Sequence, residues 1–263
     1  MSFEHISVDT NNHITRITFE RPQVMNAINK PMHAEMQVAL DAFAEDPDQY
    51  ICVLMGRGDR AFCAGSDLKA IAESDGEKRH VYPKNGYAGL IERFDLDKPV
   101  IAAVNGIALG GGFEIALACD IILATENAKF GLPEPLVGAV AIGGGMHRLA
   151  RQIGLKQAMG MILSADSVSA DDGLRMGFVN EVVAQDKLEE AIDRWCQMIL
   201  RSAPLAIRAS KETVMRGLDE PSLEAAMGAQ AEYPAFKTWR MAEDTIEGPR
   251  AFAEKRKPNW KGR

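Results

Sequence analysis

The sequence predicts an α/β protein in which strands and helices alternate over residues 1–195 and a helical region follows over 196–263. Short apolar runs typical of buried strands lead into glycine turns and then into helical spacing. This strand–turn–helix unit recurs three times, at 50–72, 99–119 and 120–138. Either a stack of similar units or a general α/β sheet produces such a recurrence, so both remain open from this pattern alone.

The first elements follow from alternation and spacing. Residues 2–9 and 12–20 alternate apolar and polar about a Thr10–Asn12 turn and predict a hairpin. Residues 31–46 place apolar side chains at helical spacing after Pro31, which suits a first helical turn. Tyr50–Met55 reads as a buried strand. The run AFCAGSDLKAIA (61–72) then predicts a glycine turn that feeds a short helix.

The middle of the chain begins with a polar, irregular stretch at 73–88, predicted as a loop over a site, and a predicted helix at 87–95. Apolar runs predict strands at 99–104, 120–124 and 179–183, and periodic spacing predicts helices at 112–119, 144–152, 155–163 and 169–176. The remaining helices are predicted at 186–201, 204–217, 221–232 and 242–254.

Composition excludes several classes of function. The net charge of −7 argues against nucleic acid as the main ligand. The longest apolar run, Pro99–Leu109, is too short to span a bilayer, and the polar N-terminus does not resemble a targeting peptide. Four widely spaced cysteines form no Cys-x-x-Cys pair and no metal-ligand spacing. We therefore expect reduced thiols, a cytoplasmic location and no bound metal.

Two acids stand in apolar sequence between Lys98 and Gly138. Glu114 lies in the first turn of a predicted apolar helix, and Glu134 lies between Pro133 and Pro135. Burial of a carboxylate is costly unless it is paired or neutralised, so such positions favour a chemical role. Burial and mutual repulsion raise and separate the pKa values of two carboxyls, which suits acid–base work. The alternative is a helix-terminal acid and a loop ion pair.

Two glycine turns lead into helices, at Gly110–Gly112 and at Cys63–Leu68. The N–H groups at a helix start attract negative charge, and two convergent N–H donors can form an oxyanion hole. The alternatives are a packing turn at the first and an N-cap at Ser66 or Asp67 in the second. The Gly110–Gly112 turn fits neither the phosphate-loop nor the dinucleotide pattern, and no nucleophile elbow surrounds Ser66.

Three further features have open interpretations. His80 lies in the irregular loop, where it can line a ligand entrance, and His147 is expected on a helix surface or at a subunit contact. The basic tail AFAEKRKPNWKGR is either a solvated face or a site for ligand phosphates or for a neighbouring subunit's ligand.

Taken together, these segments resemble the enoyl-CoA hydratase/isomerase (crotonase) family. The resemblance rests on AFCAGSDLK (61–69), Lys98–Asp120, Phe130–Gly138 and the tail EGPRAF through Lys257, with RPQVMNAIN (21–29) and GFVNEVV (177–183) in addition. It spans nearly the whole chain, and the combination of motifs is highly specific.

The resemblance implies a ClpP-like spiral of ββα units, with the helical C-terminal region used in trimerisation, as a homotrimer or a dimer of trimers. It implies acyl-CoA thioester substrates, a place in fatty acid metabolism, and no cofactor, since coenzyme A is part of the substrate. The oxyanion hole maps onto the backbone N–H groups of Ser66 and Gly111. Coenzyme A contacts map onto these two residues and onto Ala64, Asp67, Leu68 and Lys69.

The family's two hydratase glutamates map onto Glu114 and Glu134. The resemblance implies that Glu114 acts as base toward water attacking Cβ, and that Glu134 holds the same water and mediates proton delivery to Cα. Retention of both favours a hydratase, with dehydration as the reverse reaction. A double-bond isomerase, in which Glu134 alone moves the proton, and a noncatalytic acyl-CoA-binding member are the alternatives.

The chain departs from the family pattern at three positions. Ser66 replaces the more frequent alanine and adds a hydroxyl near the thioester. Ala141 stands in place of the usual proline, and Ile142 follows it where the family's loop closes over the acyl group. Within the family, the stretches 86–106 and 110–114 and the chain end are similar to carnitinyl-CoA dehydratases, which form the leading subfamily alternative.

Overall fold

A computed structural model describes residues 3–73 and 82–263 of the chain. The strands are β1 Ile6–Asn11, β2 Ile14–Phe19, β3 Ile51–Gly56, β4 Ala61–Cys63, β5 Val100–Val104, β6 Ile107–Leu109, β7 Ile121–Thr125, β8 Lys129–Gly131, β9 Ser167–Ser169 and β10 Glu181–Val183. The helices are α1 Lys30–Glu45, α2 Leu68–Ala72, α3 Gly111–Ala118, α4 Gly145–Gln152, α5 Leu155–Ser164, α6 Ala170–Met176, α7 Leu188–Leu200, α8 Pro204–Gly217, α9 Leu223–Ala229, α10 Pro234–Arg240 and α11 Asp244–Ala253.

The larger sheet has six strands in the order β1-β2-β3-β5-β7-β10. β1 and β2 form the predicted antiparallel hairpin, and the other pairs of neighbours are parallel. The turn falls at Asn12 and His13, both with positive φ, rather than at Thr10–Asn12. Two consecutive left-handed residues match the twist of the flanking strands, which explains the later turn position.

A second sheet of four strands, in the order β4-β6-β8-β9, was not anticipated as a separate layer. Three of its strands, β6, β8 and β9, were missed because each has three residues and shows no measurable alternation. The two sheets explain why the strand–turn–helix unit recurs along the chain. In each unit, the first strand (β3, β5 or β7) joins the large sheet and the second (β4, β6 or β8) joins the small one. These are the expected ββα units.

The predicted helix at 87–95 is wrong. Only a short 3-10 turn at Tyr87–Gly89 forms, because Gly86, Ala88 and Gly89 all have positive φ. Gly89 also lies against α1, where an added Cβ would fall 2.6 Å from Gln37 Cα. The backbone at Gly89 therefore packs directly against α1 in a conformation that a helix cannot adopt. Half of the predicted loop at 73–88, residues 74–81 with His80 among them, lies outside the described residues.

The described chain divides into two compact units. The first holds both sheets and extends to residue 192, without 95–99; the second holds 95–99 and the residues from 193 onward. In the second unit, Arg208 binds both carboxylate oxygens of Asp97 at 2.9 and 3.0 Å. Helix α10 was missed there, while the other four C-terminal helices match their predicted segments. No helix of the described residues is long and apolar enough to cross a membrane.

Candidate active site

The two glycine turns meet at one edge of the small sheet. β4 and β6 are parallel neighbours, so their carboxyl ends lie side by side, and each leads into one of the turns. Gly65 has a φ of +91°, and a Cβ there would fall 2.8 Å from Leu109 O and 3.1 Å from Gly111 N. Only glycine fits both the conformation and this approach. The sheet register therefore brings Ser66 and Gly111 together.

The backbone N–H groups of these two residues are available to a ligand. The amide of Ile28 donates to Gly65 O at 2.8 Å, and the carbonyl of Ile28 accepts from Asp67 N at 3.0 Å, which forms a parallel bridge between Ile28 and Ser66. In such a bridge the N–H of the intervening Ser66 points away from Ile28. Gly111 is the first residue of α3, where an N–H has no partner within its own helix. Neither N–H donates a hydrogen bond to any residue in the described ranges.

Gly112 fixes helix α3 against β4. A Cβ at this position would fall 2.0 Å from Cys63 O, so any larger residue would push the helix start away from the strand. Gly110, with a φ of +53°, makes the turn itself, and its N–H donates to Gly131 O at 2.9 Å. Gly110 and Gly112 are thus required for different structural reasons.

The residues after Ser66 divide into a half-buried helix cap and an exposed edge. Asp67 is the N-cap of α2: its side chain accepts from Ala70 N at 3.2 Å and pairs with Arg21 at 2.9 Å. Burial raises the pKa of Asp67, but the Ala70 amide and the Arg21 guanidinium lower it by more. The pKa is therefore below its ordinary value, and Asp67 stays ionised. Leu68 and Lys69 are exposed beside the turn, and Ala64 is half-buried.

Glu114 is almost fully buried in the first turn of α3. Its Oε1 accepts a hydrogen bond from Gly145 N at 2.9 Å. A Cβ on Gly143 would fall 2.3 Å from Oε2, and one on Gly145 would fall 2.9 Å from the Glu114 Cγ. The segment Gly143–Gly145 therefore forms a cradle around this carboxyl. The sequence showed the glycine run but not its partner.

Burial raises the pKa of Glu114 to about 7. The charge of Glu134 raises it as well, whereas the amides of Gly145 and Gly143 and the charge of Arg148 lower it. The carboxyl thus remains partly protonated near neutral pH, which is uncommon for a glutamate.

Glu134 opens the 3-10 turn Glu134–Val137 and faces the first glycine turn. A Cβ on Gly110 would fall 3.0 Å from its Oε1. Its Oε2 is buried, and within the described ranges it has no hydrogen-bond partner. Burial raises the pKa of Glu134 too. The structure therefore brings both predicted acids and both predicted turns to one place.

An aromatic cluster that sequence reasoning missed borders the glycine turns. Tyr87 is buried, with its hydroxyl 3.2 Å from Ser66 Oγ and its ring against Gly111. The rings of His33 and Tyr82 meet its ring edge-on at centroid distances of 4.6 and 5.5 Å. His33 Nδ1 accepts from Ala88 N at 2.9 Å, and burial lowers the pKa of His33 to about 4, so its ring is neutral. No motif in the sequence links these three residues.

The other sequence-based candidates lie outside this cluster or at its edge. Ala141 is buried and Ile142 is 55% exposed in the loop before α4. His147 is exposed, as expected for a helix surface. In the basic tail, Arg256 pairs with Glu247 and Glu254. Among the residues with described coordinates, no three metal-ligating side chains come together.

This geometry defines a carboxylate-based site beside two backbone donors on a ββα scaffold. Residues 9–263 match the model of the family described as "Enoyl-CoA hydratase/isomerase", and the chain belongs to that family. Carnitinyl-CoA dehydratases of Salmonella typhi and Salmonella typhimurium strain LT2 are each 43% identical to it over 99% of both chains.

Solved structures show the same architecture. An enoyl-CoA hydratase from Mycobacterium tuberculosis H37Rv is 34% identical with a TM-score of 0.90, and covers 98% of this chain and 99% of its own. An enoyl-CoA hydratase from Bacillus anthracis is 34% identical with a TM-score of 0.91, over 99% of this chain and 100% of its own. The fold is therefore that of the crotonase family, as expected.

Proposed function

We propose that this protein catalyses the reversible addition of water across the 2,3 double bond of an enoyl-CoA thioester. The observation that carries the proposal is the placement of Glu114 and Glu134 beside the paired glycine turns. A Cβ on Gly110 would fall 3.0 Å from Glu134 Oε1, and Gly111 and Glu114 belong to the first turn of the helix α3 that follows Gly110. Two carboxyls and two backbone donors therefore lie together at one edge of the small sheet, as hydration chemistry requires.

The backbone N–H groups of Ser66 and Gly111 would stabilise negative charge on the thioester oxygen. Both hydration and dehydration pass through enolate-like charge on that oxygen, and fixed donors stabilise it without reorganisation. A single donor of this kind typically contributes about 3 kcal/mol to the transition state. Side-chain mutation leaves these donors in place, so their effect is best examined through the glycines that shape the turns.

The protonation states of the two acids fit dehydration directly. The charge of Glu134 raises the pKa of the more deeply buried Glu114, so Glu134 ionises first and Glu114 keeps its proton longer. In dehydration, ionised Glu134 takes the Cα proton as the Cβ–O bond breaks, and protonated Glu114 gives its proton to the departing hydroxide as water forms. Hydration reverses each step: Glu114 accepts a proton from water and Glu134 protonates Cα.

Ala64, Ser66, Asp67, Leu68 and Lys69 are proposed to contact the coenzyme A portion. Ala64 and Ser66 are partly open to solvent, Leu68 and Lys69 are exposed, and Asp67 holds the start of α2. The cationic Lys69 suits the phosphates of coenzyme A. Asp67 would act through the backbone, because its carboxylate is already bound to Ala70 N and Arg21.

The wider setting is also proposed. We infer a cytoplasmic protein that needs no cofactor or metal and assembles as a trimer or a dimer of trimers. All four cysteines are buried thiols, which suits a reducing compartment. Several large apolar side chains of the second unit are exposed, including Leu223, Met241 and Phe252, at 77, 86 and 87%. Such exposure supports contacts between copies of the chain.

The acyl group of the substrate is identified by comparing a crotonyl with a crotonobetainyl thioester. Curated relatives at 43% identity are carnitinyl-CoA dehydratases, which favours a carnitinyl-type acyl group, whereas the similar solved structures are enoyl-CoA hydratases. Purified protein is mixed with crotonyl-CoA and with crotonobetainyl-CoA, and the loss of alkene absorbance is followed. We expect turnover of at least one, and the ratio of the two kcat/KM values identifies the preferred acyl group.

The two glutamine variants test the mechanism. Glu114→Gln and Glu134→Gln each keep side-chain size, and each should lower kcat by at least about a hundredfold because one proton transfer is lost. Full activity in both variants would exclude the mechanism. Oxygen-18 from water should enter the product; turnover without incorporation would indicate double-bond isomerisation. Tight acyl-CoA binding without turnover across the panel would indicate a noncatalytic member.

A further inference from the structure

The hydroxyl of Tyr87 lies between the two residues that supply the backbone donors. It is 3.2 Å from Ser66 Oγ. A Cβ on Gly111 would fall 2.5 Å from it, so the hydroxyl is within about 4 Å of the Gly111 Cα, since Cα and Cβ are about 1.5 Å apart. The polar end of a buried tyrosine thus reaches the mouth of the glycine turns.

The hydroxyl proton of Tyr87 has a free direction. A phenolic hydroxyl both donates and accepts a hydrogen bond. When the Ser66 hydroxyl donates to Tyr87 Oη, as the geometry allows, the tyrosine proton has no acceptor among residues 3–73 and 82–263. Buried hydroxyls usually have a partner, so an acceptor supplied by a ligand would complete the pair.

The tyrosine is held firmly in this position. Its ring is 3% exposed and meets the edges of two other aromatic rings. The next residue, Ala88, donates its N–H to His33, which ties the backbone to helix α1. Burial and the neighbouring Cys63 raise the pKa of Tyr87, so the hydroxyl keeps its proton over the working pH range. A fixed, protonated donor is what charge stabilisation requires.

We propose that Tyr87 Oη is a third hydrogen-bond donor to the thioester oxygen, oriented by the side chain of Ser66 and supplementing the Ser66 and Gly111 backbone N–H groups. This inference rests on the proposed function. It assigns a role to the Ser66 hydroxyl, which the more frequent alanine of the family pattern lacks. The donor forms no covalent bond and transfers no proton; it stabilises charge that develops on the oxygen during either direction of the reaction.

The test uses Tyr87→Phe, which keeps the ring and removes only the hydroxyl. Two quantities are measured: kcat and KM for the thioester that the wild type turns over, and the enolate fraction of bound acetoacetyl-CoA from its ultraviolet absorbance at fixed pH. We expect kcat to fall about a hundredfold with KM nearly unchanged, and the enolate fraction to fall as well. A packing defect alone would not lower the enolate fraction of bound ligand.

Two further variants separate the explanations. Tyr50→Phe removes a hydroxyl from a ring stacked on His13, outside the site, and should leave both quantities unchanged. Ser66→Ala keeps the backbone N–H and removes the orienting hydroxyl, so it should give a smaller loss and reduce the further effect of Tyr87→Phe. It also tests the proposal if Tyr87→Phe folds poorly.

The outcomes distinguish this inference from the proposed function. Wild-type kcat and wild-type enolate fraction in Tyr87→Phe, with an active wild type, overturn the role of Tyr87 alone. A wild type that neither turns over enoyl thioesters nor binds acetoacetyl-CoA overturns both proposals. Loss of the enolate signal in Tyr87→Phe supports the third donor even if the preferred acyl group is another one, because that measurement requires no turnover.

Discussion

The backbone of Gly143 approaches the carboxylate of Glu114 so closely that a Cβ on the glycine would fall 2.3 Å from Glu114 Oε2. The N–H of Gly145 donates a hydrogen bond to Glu114 Oε1 at 2.9 Å and holds the other carboxylate oxygen. Gly143 does not have a left-handed φ, so space around the carboxyl, and not backbone conformation, demands a glycine there. The position of the acid is therefore set from outside its own helix.

Gly143→Ala should displace the Glu114 carboxyl and lower kcat about a hundredfold, because misplacement of a reacting group by about 1 Å costs that much. Steady-state kinetics with the preferred thioester measure the loss. Gly160→Ala is the matched control: this glycine is exposed in α5, and an added Cβ meets nothing within 4 Å. It should keep full activity and gain up to about 1 kcal/mol of stability. Equal activity in the two variants would contradict the cradle.

The acid pair predicts the pH dependence of kcat/KM. The active pair carries one proton in either direction, and that last proton leaves with an apparent pKa of about 7, raised by burial of Glu114. Above that pH the pair loses the proton, so kcat/KM should fall tenfold for each further pH unit. Initial rates from pH 5 to 9 at low substrate concentration provide the measurement. A kcat/KM that instead rises through pH 7 would mean that the doubly ionised pair is the active form.

The raised pKa of Glu114 also makes the free energy of unfolding depend on pH. Its pKa is raised from 4.5 to about 7 in the folded protein, so the folded state binds the proton more tightly than the unfolded chain. Stability from this group is fully present below about pH 4.5 and is lost as pH rises through 7, by up to about 3 kcal/mol. Glu114→Gln removes the titration. Urea unfolding should therefore show Glu114→Gln gaining stability over the wild type from pH 5 to pH 8, and a constant difference would refute the assignment.

Local sequence patterns determined only part of this site. Glu114 follows a glycine turn at a helix start, and that local signal placed it correctly. The cradle was not predictable, because Gly143 is distant in sequence and its partner depends on how α4 packs against α3. Tyr87 was misassigned to a helix for a similar reason: its positive-φ neighbours result from contact with α1. Strands of three residues, such as β6, carry no periodic signal, so the second sheet was also missed.

The buried side-chain amide of Asn26 holds together the backbone segments that lead to the Cys63–Leu68 turn. Its side chain is fully buried; Oδ1 accepts from Arg21 N at 3.0 Å, and Nδ2 donates to Ala61 O at 2.8 Å and Arg57 O at 3.1 Å. Asn26→Asp keeps the shape but removes both donors and places a carboxylate against two carbonyl oxygens. We expect a loss of about 3 kcal/mol or more in the free energy of unfolding.

The exposed Asn127 is the matched control for Asn26. Its amide donates to Asp59 O at 3.3 Å, in contact with solvent. Asn127→Asp should therefore change stability by no more than about 0.5 kcal/mol. Because Ala61 begins the strand that leads to Ser66, the Asn26 variant should also lower kcat at a temperature where it remains folded. Thermal unfolding and kinetics on the same preparations separate the two effects. A stable Asn26→Asp protein with normal kcat would show that the amide does not hold the turn in place.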